Sequence, residues 1–345
     1  MFELNARSRD ILQAIVQDYI QTAEPVGSRT ISRRHGLDLS PATIRNVMAD
    51  LEEMGLLMQP HTSAGRVPTD LGLRFYVDAI LEVGDISRQE QEAIRLKFAD
   101  VHPELDRVIK HCSKVLSSVS RHIGVVLAPK FSRLVLKQLQ FVRLADRLVL
   151  AILVGMSGLV QNRIIEVEED LKQEELDRFN RYVNEILDGL TINEIKAKLV
   201  EQMRQEKNQF DQMLSQALAL SQRVFEDAID EEDLYVAGQV NLLDYPEFAR
   251  VESMKALFRT FEDKSILVKL LDNTFNASEV QIFIGSETEF AELEGCAVIA
   301  SRYSRGAVPL GTLGVIGPSR LDYSKIIPVV DYTAKFVSKI LETTP

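Results

Sequence analysis

The stretch from Leu39 to Met58, LSPATIRNVMADLEEMGLLM, reads as one short helix leading into a strand. Ser40 is an N-cap residue, because its side-chain oxygen can accept from an otherwise orphaned amide of the first turn. Pro41 follows at the first helical position, where its missing N–H costs nothing. Ile44, Val47, Met48, Leu51 and Met54 recur at helical spacing and predict one buried stripe. Gly55 ends the helix. The wheel leaves Ala42, Asn46 and Ala49 on the opposite face, with Arg45 beside them. Asn and Arg read base edges by bidentate hydrogen bonds, and small alanines allow close approach to a groove. Asp50 and Glu53 would repel phosphate one turn later, so this helix would enter a major groove by its N-terminal half.

The flanks fit that reading. Upstream, Ser8 is expected to cap a helix whose apolar positions are Ile11, Leu12, Ile15, Val16, Tyr19 and Ile20, with Pro25 and Gly27 breaking it. Ser28 is expected to cap a second helix, Arg29 to His35, that stops at Gly36. Three short helices with tight joints predict a helix-turn-helix. Downstream, Leu56 to Met58 and Arg66 to Val67 flank the polar turn Pro60-His61-Thr62-Ser63-Ala64-Gly65, the profile of a β-hairpin wing. Thr69 or Asp70 starts one more helix through Leu81, and residues 83–85 read as a linker.

Charge agrees with the pattern. The Lys and Arg cations of the first eighty residues are all arginines, and Arg29, Arg33, Arg34, Arg45, Arg66 and Arg74 fall in the helix-turn-helix and wing. Arg suits forked contacts with phosphate and guanine, and the helix starts at Ser28 and Ser40 offer amides to phosphate. The expected base contacts are Arg45 and Asn46. The expected backbone contacts are Arg29, Ser40, Thr43, His61, Thr62 and Arg66. The competing reading is a small structural helical domain with solvated charges.

The remainder is mixed. Ser87 to about Arg121 reads as helix; Ile123–Ala128, Leu136–Leu144, Leu148–Met156 and Leu159–Val167 read as strands. Residues 171–228 return to helix, with heptad-like spacing only in patches. Strands are expected again at Leu234–Leu243, Ile266–Leu270, Val280–Ile284, Ala297–Ser301 and Leu310–Ile316, before a last helix near Ile326–Leu341. Sheet, helical block and sheet again suggest an α/β domain carrying an insertion; whether strands 136–167 belong to the insertion or the host stays open.

Composition narrows the function classes. The chain has 345 residues, 46% hydrophobic and 26% charged, enough for more than one folded domain. The net charge of −11 does not oppose a local basic face, since steering depends on the local field. Only Cys112 and Cys296 are present, which excludes a Cys-rich zinc site or disulfide framework. The longest uncharged run, Leu148–Asn162, is too short for a bilayer span and holds a turn at Gly155, Ser157 and Gly158. The N-terminus lacks a secretory layout, so the expected location is the cytoplasm. His102, His111, Cys112 and His122 do not converge: on a continuous helix His111 and His122 lie about 16 Å apart. Gly311, Gly314 and Gly317 miss the dinucleotide fingerprint and read as a strand-to-helix turn. Acidic runs at 166–170 and 227–233 read as solvated helix starts. No nucleophile-elbow, zinc-protease or P-loop pattern occurs, so neither an enzyme nor a cofactor is expected.

Three segments carry a more specific likeness. SRDILQAIVQDYIQTAEPVGSRTI (8–31), LSPATIRNVMADLEEMGLLMQPHTSAGRVPTDLGLRFYVD (39–78) and GTLGVIGPSRLDYSKIIPVVDY (311–332) resemble the HrcA family of bacterial heat-inducible transcription repressors. The resemblance runs over essentially the whole chain. It implies an α+β multidomain protein: an N-terminal winged helix-turn-helix (1–82), then a GAF-like α/β domain (86–130 and 234–345) carrying an inserted α+β dimerising domain (131–233). It also implies a homodimer on double-stranded DNA, at an inverted repeat called CIRCE before chaperone operons, released on heat stress, with activity supported by the GroE chaperonin. The alternative is a regulator that senses a small molecule through the GAF-like domain; a gel shift on chaperone-operon DNA separates the two.

Overall fold

The computed structural model describes residues 4–61, 64–101, 105–129, 135–167, 170–187, 189–191, 194–195, 197–198, 220–221, 234–249 and 251–343. They fall into two compact units. The first comprises Met1–Leu127, Leu234–Tyr303 and Thr312–Leu341; the second comprises Ala128–Asp233, Ser304–Gly311 and Glu342–Pro345.

The first unit begins with α1 (Ala6–Thr22), α2 (Ser28–Arg34) and α3 (Pro41–Glu53). Their common core is Ile11, Leu12, Ile15, Ile31, Ile44, Leu51 and Leu56, each fully buried. Burying such side chains stabilises by roughly 1.5–3 kcal/mol apiece before ordering costs. Ser40 caps α3 as expected, its side chain accepting from the Thr43 amide. Two other caps differ from expectation. Asn5, not Ser8, caps α1; Ser8 is the residue whose amide it receives, and its side chain is buried. At α2 the N-cap is Gly27, without a side-chain bond, and Ser28 is the first helical residue and buried. The wing forms from β1 (Leu57–Met58) and β2 (Val67–Pro68), paired antiparallel. Thr69 then caps α4 (Asp70–Phe75), which widens into a π-turn at Tyr76–Ile80.

The rest of this unit is built on a five-stranded sheet. Its strands are β3 (Ile123–Leu127), β7 (Leu234–Ala237), β8 (Gln281–Ile284), β9 (Cys296–Arg305) and β10 (Val308–Pro318), in the order β7-β3-β10-β9-β8. The helices α5 (Arg88–Phe98), α6 (Leu105–Ser120), α8 (Val251–Glu262), α9 (Ser265–Thr274) and α10 (Tyr323–Thr343) complete it. The sheet core joins Ile123, Val125, Leu234, Leu267, Leu271, Val298 and Ile316.

Several sequence expectations are corrected here. Ile266–Leu270 is helix, not strand: Leu267, Val268, Leu270, Leu271 and Thr274 are buried, a helical spacing that the β-branched Ile and Val obscured. The strand from Leu234 stops at Ala237, where Gly238 at φ 80° turns the chain into a 3-10 helix, Gln239–Asp244. The expected helix 87–121 is two, α5 and α6, and His122 lies beyond the second. The helix α8 was not anticipated. Gly311, Gly314 and Gly317 lie within β10, not in a turn. A Cβ on Gly314 would sit 2.5 Å from the Ile299 carbonyl oxygen, so this glycine serves close backbone packing between β10 and β9.

In the second unit β4 (Leu136–Ala145), β5 (Leu148–Gly155) and β6 (Val160–Glu166) form a separate antiparallel sheet in that order. One face packs Leu139, Phe141, Val149 and Leu153 against Leu176, Phe179 and Val183 of α7 (Gln173–Leu187). α7 also occupies the edge of β4. Asn184 accepts from the Leu139 amide at 2.9 Å and donates to its carbonyl at 2.7 Å. Asn180 does the same for Phe141, at 2.7 and 3.1 Å. Two side-chain amides one turn apart thus take the place of a neighbouring strand. The opposite face aligns Val142, Leu150 and Ile164 in one row, Gln140, Ile152 and Asn162 in the next, and Gln138, Val154 and Val160 in the third; Ile164 and Val160 are 66% and 56% exposed. Most of the heptad-like segment, like Thr62, Ser63 and His102, lies outside the described residues.

Candidate nucleic-acid interface

The interface is built on α3. With Ile44, Val47, Met48 and Leu51 buried, Arg45 and Asn46 stand exposed beside Ala42 and Ala49. Ser40 and Thr43 mark the N-terminal end, their hydroxyls 3.0 Å apart. Orphan amides and the helix dipole make that end a natural seat for phosphate. Arg29 is exposed at the start of α2 and His61 at the described end of the wing loop; Thr62 lies outside the described residues.

Arg29, Arg45 and Arg66 line one cleft of about 490 Å³, together with Ser28, Gln59 and Gly65. No Asp or Glu lines it. Its floor depends on contact between distant backbones: Val26 and Arg66 exchange amide bonds of 2.8 and 2.9 Å. A Cβ on Gly65 would meet the Val26 carbonyl oxygen at 2.3 Å, so only glycine fits. Gln59 donates to the Ala64 carbonyl at 3.0 Å and steadies the loop.

Arg66 is not a free cation. Its Nε donates to Glu52 of α3 at 2.8 Å, and its side chain is only 20% exposed. Arg74, which sequence placed among the phosphate-facing arginines, points away and binds Glu287. Both acids escaped sequence reading, since they lie far from their partners along the chain. Asp18 also escaped it, although its position on the apolar stripe of α1 was a usable signal. It is 6% exposed and joins α1 to α2 through His35 at 3.0 Å and Arg34 at 3.6 Å.

The comparisons settle the family. The model described as "Winged helix-turn-helix transcription repressor, HrcA DNA-binding" matches residues 3–74, and "HrcA protein C terminal domain" matches residues 106–327. The chain belongs to the HrcA family. It is 50% identical over 342 residues to the heat-inducible transcription repressor HrcA of Geobacter sulfurreducens, covering 99% of both chains. A HrcA of the same description from Syntrophobacter fumaroxidans is 48% identical over 343 residues, again covering 99% of both. A crystal structure titled as that of a hypothetical protein at 2.2 Å resolution superposes with TM-score 0.59 at 25% identity, covering 99% of each chain. The HrcA winged-helix match contains every contact residue predicted from sequence.

Outside the interface, this HrcA chain holds polar groups in structural roles. His122 is buried; its Nδ1 lies 3.0 Å from the Tyr245 hydroxyl, and the two rings stack. Burial, then Arg320 and Lys325 nearby, push its pKa down to about 4. His111 meets the Lys97 carbonyl at 2.8 Å and the edge of Phe98. Cys112 and Cys296 are buried, and burial pushes the Cys296 thiol up to about 12. Among the described residues no three His, Cys, Asp or Glu side chains are grouped to hold a metal ion, and no helix is long and apolar enough to cross a membrane.

Proposed function

We propose that this chain is a heat-inducible transcription repressor, not an enzyme, acting in the bacterial cytoplasm as a homodimer on a CIRCE-type inverted repeat. The observation that carries the reading is the exposed Arg45–Asn46 face of a capped α3, set beside an acid-free arginine cleft. Arg45 and Asn46 read base edges; Arg29, Ser40, Thr43 and the wing residues His61 and Thr62 contact the DNA backbone. Arg66 contacts phosphate only to the extent that Glu52 releases it.

Two half-sites call for a two-fold pair of recognition helices. The exposed Ile164 and Val160 on the outer face of the β4-β5-β6 sheet support the 131–233 insertion as the dimerising domain, because exposed apolar side chains rimmed by polar ones mark association surfaces. Heat release and chaperonin support follow from marginal stability: a change of 1–2 kcal/mol shifts the folded ratio by roughly 5–30-fold. The GroE chaperonin holds unfolded copies and returns folded ones.

The test is a gel shift with chaperone-operon DNA against a scrambled repeat, after graded heating, with and without chaperonin. Repeat-specific binding that fades with heat and recovers with chaperonin is the expected result. Equal binding to both DNAs rejects the reading.

A further inference from the structure

The winged-helix part is tied to the sheet of its own unit at two separate places. At the first, Arg74 of α4 donates through Nε to Glu287 at 2.8 Å, through Nη2 to the second Glu287 oxygen, and to the Ile282 carbonyl at 2.5 Å. Glu287 is itself fixed, accepting from the Ile284 amide at 2.9 Å, and Asp70 accepts from the Ser286 amide at 3.0 Å. At the second, Arg320 is bound to Glu247 and donates to the Ile20 carbonyl near the end of α1 at 2.8 Å.

One tie would act as a pivot, whereas two on different helices leave only rotation about the line between them, which the forked Arg74–Glu287 contact and the neighbouring Asp70–Ser286 bond oppose. The covalent connection does not supply this restraint. Between the π-turn and α5 the chain runs through residues 81–87 without helix or strand. The ties leave the reading face open, since Ser40, Arg45 and Asn46 remain exposed. The arrangement therefore holds the domain without masking it.

We propose that Arg74 and Glu287 are positioning residues for DNA recognition. They set the direction in which each winged helix is presented, so that two copies meet two half-sites without an orientational search. This rests on the dimer reading above. Restraint before binding raises affinity by cutting ordering cost, and it acts where two sites must be engaged together.

The experiment uses the full chain and two duplexes, an inverted repeat and a single half-site. Arg74→Gln and Glu287→Gln should each weaken repeat binding about tenfold while half-site affinity stays within about twofold. The double variant should lose less than the sum of the two single ones, since the forked contact is common to both, although Arg74 also donates to the Ile282 carbonyl. Without DNA, protease cleavage within 81–87 should accelerate in all three. Should the Gln variants fail to fold, Arg74→Lys, which keeps the charge but not the fork, should show a smaller loss of the same kind. Unchanged repeat binding, an equal loss on both duplexes, or tighter binding overturns the proposal. If the wild-type chain does not prefer the repeat, the dimer reading fails instead. Linker cleavage then decides the tie alone: faster cleavage upholds it, and unchanged cleavage rejects it.

Discussion

Arg66 Nε and Nη2 both lie 2.8 Å from Glu52 Oε2, so the wing's second arm is clamped to α3 by a charged fork. The same bond half-neutralises a cation of the proposed DNA face. Glu52→Gln should strengthen binding to random DNA and steepen its salt dependence by about one unit of log–log slope, the release of one more counterion. Titrations at several salt concentrations read this directly. An unchanged slope would mean that Arg66 never reaches phosphate.

Asn46→Ala should act differently. It removes a base-edge contact worth about 1–3 kcal/mol and leaves phosphate contacts intact, so operator affinity falls while random-DNA affinity holds. Fluorescence anisotropy with operator and scrambled duplexes gives the ratio. A loss equal on both would take Asn46 out of base reading.

His122 makes stability depend on pH. Its folded pKa, about 4, lies below the usual 6.5, so below neutrality the unfolded chain binds a proton that the folded chain refuses. Its contribution is fully present above about pH 6.5 and declines as pH falls toward 4. The loss reaches about 3 kcal/mol at most. Melting temperatures across this range should fall with acid, and His122→Gln should flatten that segment while lowering stability at neutral pH.

Asn184→Ala leaves the Leu139 amide and carbonyl without their partner. Each buried backbone group left unpaired costs about 1–3 kcal/mol, so the second unit should unfold earlier and expose the β4 edge. Chemical denaturation with aggregation monitored by light scattering tests this. A neutral effect would show that water replaces the amide.

The three-helix start and the wing were legible because local signals agreed: Ser40-Pro41, the apolar stripe and Gly55 all point to one helix. The exposure of Arg45 and Asn46 followed from the same wheel. Ile266–Leu270 misled because a short run of β-branched and Leu residues fits either period, and its helix is chosen by tertiary packing. Glu52, Glu247 and Glu287 were invisible because their arginines lie 14 to 213 residues away. No periodicity encodes a pair of that kind. The sequence alone likewise hid the amide pairs of Asn180 and Asn184, which need the strand beside them.

Those two asparagines bear on stoichiometry. A three-stranded sheet offers two margins to a visiting backbone, and α7 has taken one. Among the described residues β6 pairs with β5 and with no second strand. Among the described residues an incoming strand therefore has a single margin to join. If the visitor is a two-fold copy adding by the same margin, each sheet consumes the other's vacancy. Such an assembly stops at two, with no margin left for a third chain to extend it.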